Sequence, residues 1–393
     1  MSSILKKLQY LEFPECTKEA LNYIVRNYAS DPHRGVPGRA GASENIAVEV
    51  AQEYIIDMSR RKGHKHRKLN AVHELQLLEM LCSALQEAPE HACYSIFSAI
   101  FGGHVDPFKI NLMTQLVSMA ISVSCGPVLG CAAIWMQEQG SQSQSVCDLA
   151  QKLVDDYCML YPNVSKAFKN LPKVSSLFTC NFMTALTTIY PYTDASKSPP
   201  PVLLECIVDW ISSDSCLCSD SVRLVRIQST FTCPIGGLVR WCILGPLVTA
   251  SSGSDKNASG HSKMEQSSAL KAVTFTDEKL QSLFPRLHLA VLQSLQAYKS
   301  MELQEHLLTF TDLFIVSKTL AVFYKGGQCS EQLLPVVNTS TDSLAQIIQV
   351  ALTTNSLPGK FDIRQVCEGL PQNRLMQMIL TMRYGKQEPM DLS

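Results

Sequence analysis

The residues best placed to do chemistry are Cys216-Leu-Cys218, Asp155-Asp156, His64 with His66, and the turn Cys233-Pro-Ile-Gly-Gly237. Cys216 and Cys218 would supply half of a metal site or a redox pair. A thiolate site needs further Cys or His at ligand spacing, and none stands near them. Their Ser and Asp neighbours fit a loop. Asp155 and Asp156 would serve as general acid and base, yet adjacent positions on a helix point about 100° apart and do not face one pocket. A solvated helix edge accounts for them better. Cys233 to Gly237 lacks the Lys-Ser/Thr of a phosphate loop and any preceding strand, so it is expected to open the helix that carries Leu238. His64 and His66 have no cysteine nearby and sit among cations that oppose a metal ion. A cysteine hydrolase would carry a family signature around its thiol, and none is visible among these fifteen cysteines and nine histidines. The chain is therefore expected to be a non-enzyme without metal or cofactor.

Two further features concern binding. Arg60, Arg61, Lys62, Lys65, Arg67 and Lys68 make the only dense basic run, which fits a solvated linker, a nuclear localisation signal or a small anion-binding patch. Arg240-Trp241 pairs two residue types enriched at binding hot spots. The plainer expectation is Trp241 in the core with Arg240 reaching past it to water. Both residues stand as candidate partner contacts.

The elements that position these residues are organised around Ile110 to Gln137, twenty-eight residues without a charge, broken by Gly126-Pro127. A membrane span would need roughly 20 mainly apolar residues. Here Asn111, Gln115, Ser118 and Ser122 instead recur at helical spacing, with Leu112, Leu116, Met119 and Val123 opposite them. The pattern predicts two buried helices with a narrow uncharged stripe, separated at Pro127, which has no amide hydrogen to continue a helix. Ser145 and Asp148 are spaced as a capping box for the helix that follows.

At 393 residues the chain exceeds the roughly 250–300 that a single core usually supports. Hydrophobic residues at 46% and charged residues at only 18% predict a large core and surface reserved for partners. With 34 Lys plus Arg against 35 Asp plus Glu, no global field draws nucleic acid or an anionic membrane. No long apolar segment follows the basic Lys6-Lys7 pair, so no secretory leader is expected. The cysteines are dispersed along apolar faces, as expected of reduced thiols used as small hydrophobes.

Breakers such as Pro14, Pro89, Gly102-Gly103, Pro162, Pro172, Pro191 and Gly326-Gly327 recur about one helix apart, and no useful strand alternation occurs between them. The predicted fold is all-α, an irregular solenoid of HEAT/ARM-like helical pairs with no sheet. Its expected divisions are N-terminal helices with a basic loop over 1–68 and a central helical array over 69–248. A Ser/Gly-rich linker over 249–272, a C-terminal array over 273–384 and a frayed tail over 385–393 complete the chain. Short helices are expected over Ser219 to Ser229 and, at greater length, from Met301 to Tyr324.

Several long segments, in order, resemble one known family: Leu69 to Cys82, Leu116 to Ala120 with Pro127-Val-Leu and Cys131 to Ala133, and Leu153 to Cys158. Further along come Leu238 to Cys242 with Gly245-Pro-Leu247, Leu287 to Gln293, Leu344 to Val350 and the Leu370-Pro-Gln-Asn373 turn. The family is Integrator complex subunit 15. The resemblance implies a non-catalytic helical scaffold of the nuclear Integrator complex, which cleaves nascent small nuclear RNAs at their 3′ ends and terminates RNA polymerase II transcription. It further implies a bridge between the module of subunits 10, 13 and 14 and the rest of the complex, an indirect link to the polymerase machinery, and no membrane. The competing expectation is a helical nucleic-acid-binding adaptor that uses Arg60 to Lys68.

Overall fold

A computed structural model describes residues 3–30, 42–57, 69–103, 106–159, 165–219, 233–256, 277–297, 307–325, 333–357 and 362–385. Among the described residues the fold is all-α, with no strand. No helix among the described residues is long and apolar enough to cross a membrane. The chain forms two compact units, one of residues 1–157 with 165–179 and one of residues 158–164 with 180–393.

In the first unit the helices are α1 Ser3–Leu8, α2 Glu15–Ala29, α3 Ala42–Ala51 with a π turn Gln52–Ile56, α4 Ala71–Glu87, α5 Glu90–Phe101, α6 Pro107–Val123, α7 Gly126–Gln139 and α8 Gln144–Val154. Two short helices, α9 Lys166–Lys169 and α10 Leu171–Val174, follow. The charge-free stretch is two buried helices, as its pattern demands. Asp106 caps α6 by accepting the Lys109 amide at 2.8 Å, and Pro107 occupies the first turn, where an absent amide costs nothing. Ser124 ends α6 in the left-handed region at φ 57°, and Pro127 sits in the first turn of α7. Leu112, Met113, Leu116, Val117, Ala120 and Ile121 are buried, whereas Asn111, Gln115 and Ser122 stay at the surface. Val123, expected on the apolar side, is exposed, as are Ser122 and Ser124 beside it. Helix α8 begins two residues earlier than a Ser145 cap would set it. Ser143 is the cap residue, Ser145 lies inside the helix, and Asp148 accepts a bond from the Gln144 side chain.

The second unit contains most of α11 Ser176–Ile189, then α12 Pro201–Ser213, α13 Ile235–Lys256, α14 Asp277–Ala297, α15 Phe310–Lys325, α16 Leu334–Thr353, α17 Ile363–Cys367 and α18 Arg374–Tyr384. Helix α13 continues through Pro246 to Lys256, eight residues into the expected linker. Proline removes one helical hydrogen bond. Next to the Cys242 carbonyl that it leaves unbonded, the Ile243 carbonyl accepts the Ser340 hydroxyl of α16 at 2.9 Å. Gly245 permits a close approach to α14, since a Cβ there would fall 2.2 Å from the Phe284 ring. Helices before and after the Ser/Gly-rich stretch thus share one core, and the compact units divide near residues 157–180, within the expected central array. Helix α15 starts at Phe310 rather than Met301, because the Thr309 amide and hydroxyl both bond to the Asp312 carboxylate and fix the entry to the helix there. The helix expected over Ser219 to Ser229 lies, from residue 220 on, outside the described residues.

Candidate functional site

Among the described residues, the pairs that sequence offers for catalysis stand apart from one another and are mostly engaged by backbone or neighbouring groups. Cys218 is fully buried in a short 3₁₀ turn, Leu217–Ser219, and Cys216 is half-buried at its edge. The Cys218 carbonyl accepts the thiols of Cys180 at 3.3 Å and Cys233 at 3.5 Å, so the three residues are joined through a backbone oxygen. Burial pushes the Cys233 thiol well above its ordinary value, with the nearby Cys180 and Asp312 adding to the effect, which makes it a poor nucleophile at neutral pH. No group of three or more His, Cys, Asp or Glu among the described residues could hold a metal ion. Asp155 is exposed and bonded to Gln151 at 2.9 Å, which suits the solvated edge expected of it. Cys233 to Gly237 leads into α13 at Ile235, the role the sequence assigns it. Arg60, Arg61, Lys62, Lys65, Arg67 and Lys68, with His64 and His66, lie outside the described residues.

One pairing escaped the sequence. Cys82 of α4 and Cys125, the residue before α7, lie together in the first unit although 43 positions separate them. Cys125 is held at a helix start, with its thiol 3.9 Å from the Cys82 carbonyl. The hydrogen bond the two thiols share, with burial behind it, pushes the Cys82 thiol up. The same bond eases Cys125 downward. Both side chains are buried, which closes the pair to any large substrate.

An open groove of about 480 Å³ lies between the first turns of α6 and α8, lined by Pro107, Ile110, Gln144, Asp148 and Lys152 among others. Its polar groups are already engaged. Gln144 bonds to Asp148 at 2.7 Å, and Lys152 donates to Asn111 of the uncharged stripe at 3.4 Å. The Tyr157 hydroxyl donates to the Ser118 carbonyl at 2.7 Å and shares a hydrogen bond with the Ser122 hydroxyl at 2.9 Å. Three members of the α6 stripe, Asn111, Ser118 and Ser122, thus bond to α8 and the turn after it, while Gln115 faces the surface.

Arg240 and Trp241 part company. Trp241 is fully buried, its Nε1 donates to the Tyr190 carbonyl at 2.7 Å, and the Tyr192 ring meets it edge-on with centroids 5.9 Å apart. The idea that Trp241 is an exposed partner contact is therefore corrected: its hydrogen bond and its neighbours place it in the core. Arg240 is half-buried, and its Nε is sealed from water with no hydrogen-bond partner among the described residues. Gly236 and Gly237, one turn earlier, face Asp312 of α15 and Thr187 of α11 so closely that a Cβ would fall 2.4 and 2.2 Å from them. The 100° helical step sets Arg240 between those two directions.

Large apolar side chains also reach the surface. Val72 and Leu75 do so on α4, Ile315 and Val322 on α15, and Met378 and Met382 on α18, each pair on one helical face. Such spacing suits contact with another chain.

The family model described as "Integrator complex subunit 15" matches residues 2–372. The chain belongs to that family. Curated members include Integrator complex subunit 15 of Danio rerio, 31% identical over 97% of this chain and 81% of its own length. The mouse protein of the same name is 31% identical over 97% of this chain and 87% of its own. The Drosophila melanogaster protein is 26% identical over 94% of this chain and 93% of its own. The family match includes α1 to α17 and stops just before α18, so the exposed Met378 and Met382 fall beyond it.

Proposed function

We propose that this chain is a non-catalytic adaptor of the Integrator complex, acting in the nucleus. In that role it bridges the module of subunits 10, 13 and 14 to the remainder of the complex during small nuclear RNA 3′-end processing and transcription termination by RNA polymerase II. One observation carries the proposal: similarity to proteins named Integrator complex subunit 15 runs through 97% of the chain rather than through one segment. The helical architecture supports it. Stacked helices whose cores are satisfied internally offer long faces to other subunits, and exposed apolar pairs on α4, α15 and α18 suit such faces. The buried thiols and the internally paired groove support a role without catalysis.

Affinity purification of the tagged full chain from nuclear extract, read by quantitative mass spectrometry, tests the proposal. Integrator subunits, with 10, 13 and 14 foremost, should be enriched, and the enrichment should survive nuclease treatment. Recovery of no Integrator subunit above a control bait would refute it. Capture that disappears with nuclease, together with RNA affinity that falls steeply with salt, would instead favour a nucleic-acid adaptor acting through Arg60 to Lys68.

A further inference from the structure

We propose that Lys166, Lys169 and Lys173 form a track for the phosphates of a nucleic-acid strand, gripped without regard to base sequence. All three are exposed, on the short helices α9 and α10, while Phe168 and Leu171 between them are buried. Phe168 stacks on the Tyr157 ring with centroids 5.0 Å apart, which anchors the row to the first unit. Its surroundings hold little to cancel the charge. No Asp or Glu occurs from Tyr157 to Thr193. Helix α9 packs on α6, which contains no acid, and α10 abuts the start of α7, where the Val174 carbonyl would lie 3.5 Å from a Cβ on Gly126. Both supports belong to the stretch around Ile110 to Gln137 that carries no charge. The acids closest along the chain are Asp155 and Asp156, and Asp155 is bonded to Gln151 at 2.9 Å. Lys7, Lys279 and Lys318 each hold a carboxylate at 2.6 to 2.8 Å. Lys166 and Lys173 have no side-chain hydrogen bond or ion pair among the described residues.

Like charges gathered on an acid-free support repel one another, and a polyanion relieves that repulsion. An acidic protein segment and a nucleic acid are the two polyanions that compete for the row. Lysine is depleted in protein interfaces, where its flexible and strongly hydrated head would have to be ordered and dried. Against a phosphate backbone it keeps much of its water and acts as a point charge, and the counterions released from the strand drive binding. The nucleic acid is therefore the better match. Bases find nothing to stack on, because the one aromatic ring of the segment, Phe168, is fully buried. The contact reads the strand's charge alone, and it does not depend on which subunits the chain joins.

Fluorescence anisotropy of a labelled oligouridine, titrated with the purified full chain at several salt concentrations, tests the track. Wild type should bind, with the logarithm of affinity falling linearly against the logarithm of salt. Lys166→Gln, Lys169→Gln and Lys173→Gln combined should flatten that slope by about 2 and weaken binding about tenfold or more at low salt, the loss expected of three single-strand phosphate contacts. Each replacement alone should flatten the slope by about 0.7. Lys166→Arg, Lys169→Arg and Lys173→Arg combined keep the charges and should bind as wild type does. The side chains are exposed, so the glutamine variants should melt with wild type. If the triple variant melts lower, the single variants decide, and unchanged slopes among them overturn the proposal. It is equally overturned if wild type fails to bind at low salt, or if the triple variant keeps wild-type affinity while neutralising Arg60 to Lys68 abolishes it. A triple variant that binds the oligouridine normally but loses Integrator subunits from nuclease-treated extract would assign the lysines to an acidic protein instead.

Discussion

Helices α6 and α13 each pack against several helices of their own unit, and they treat their polar atoms in opposite ways. Helix α6 is free of charge between Ile110 and Val123, and its stripe is consumed at home, where Ser118 and Ser122 bond to Tyr157 and Asn111 accepts from Lys152. Helix α13 settles Trp241 through the Tyr190 carbonyl and leaves Arg240 Nε without a partner one residue away. Neutral groups at a helix interface can be satisfied by a neighbouring hydroxyl at little cost. A half-buried guanidinium calls for an anion, and the acid nearest by helical register, Asp312 of α15, already takes the Thr309 amide and hydroxyl on one oxygen. A helix whose polar groups are paired recovers what their burial costs, and one with an unmet donor does not.

The largest effect that probes this contrast should come from Trp241→Ala. It empties one of the largest fully buried side-chain sites and orphans the Tyr190 carbonyl, for an expected loss of about 3–5 kcal/mol in urea unfolding. A variant that unfolded at the wild-type midpoint would show that the indole is no keystone of the second unit. Leu116→Ala in α6 should cost about 2–5 kcal/mol by the same measurement, as expected of a fully buried leucine. Reversal of this order would mean that the uncharged helix, rather than α13, bears more of the packing in its unit.

Local periodicity made much of this visible in the sequence. The break at Gly126-Pro127 and the buried side of α6 follow from spacing and from what proline can donate. The end of α13 did not. Pro246 and the Ser/Gly-rich residues after it carry a stop signal, and the packing of Gly245 on Phe284 and of Ile243 on Ser340 overrides it through residues 39 and 97 positions away. The same limit applies to the candidate site. That Trp241 prefers the core was legible from its type, but its acceptor is 51 positions distant, and the unmet state of Arg240 depends on which helices flank it. Cys82 and Cys125, 43 positions apart, meet only once α4 and α7 have packed.

A smaller change tests whether the stripe of α6 is satisfied internally. Tyr157→Phe keeps the ring stacked on Phe168, with centroids 5.0 Å apart, and removes the hydroxyl that serves Ser118 and Ser122. The expected loss is about 1 kcal/mol, the net value of a typical hydrogen bond, with an unchanged dependence on denaturant. If the loss were absent, water would be serving the stripe equally well, and the contrast with α13 would rest on charge alone.

The smallest expected effect is one of pH, and it belongs to the second unit. His288 of α14 is half-buried, and burial pulls its pKa below the ordinary 6.5, opposed in part by a hydrogen bond to the Ser343 backbone. Its Nε2 has no partner among the described residues, so the neutral ring is the form that the fold accommodates. The unfolded chain takes up a proton near pH 6.5 while the folded chain does not yet do so. Stability from this group is therefore complete above about pH 6.5 and declines as the pH falls toward the depressed folded value. His288→Phe should flatten that part of the stability profile and leave the profile above pH 7 parallel to wild type. An unchanged slope between pH 6.5 and 5 would show that His288 does not set it. Glu368, held below its ordinary 4.5 by its bond to Lys318, loses its contribution only as the pH falls below about 4.5.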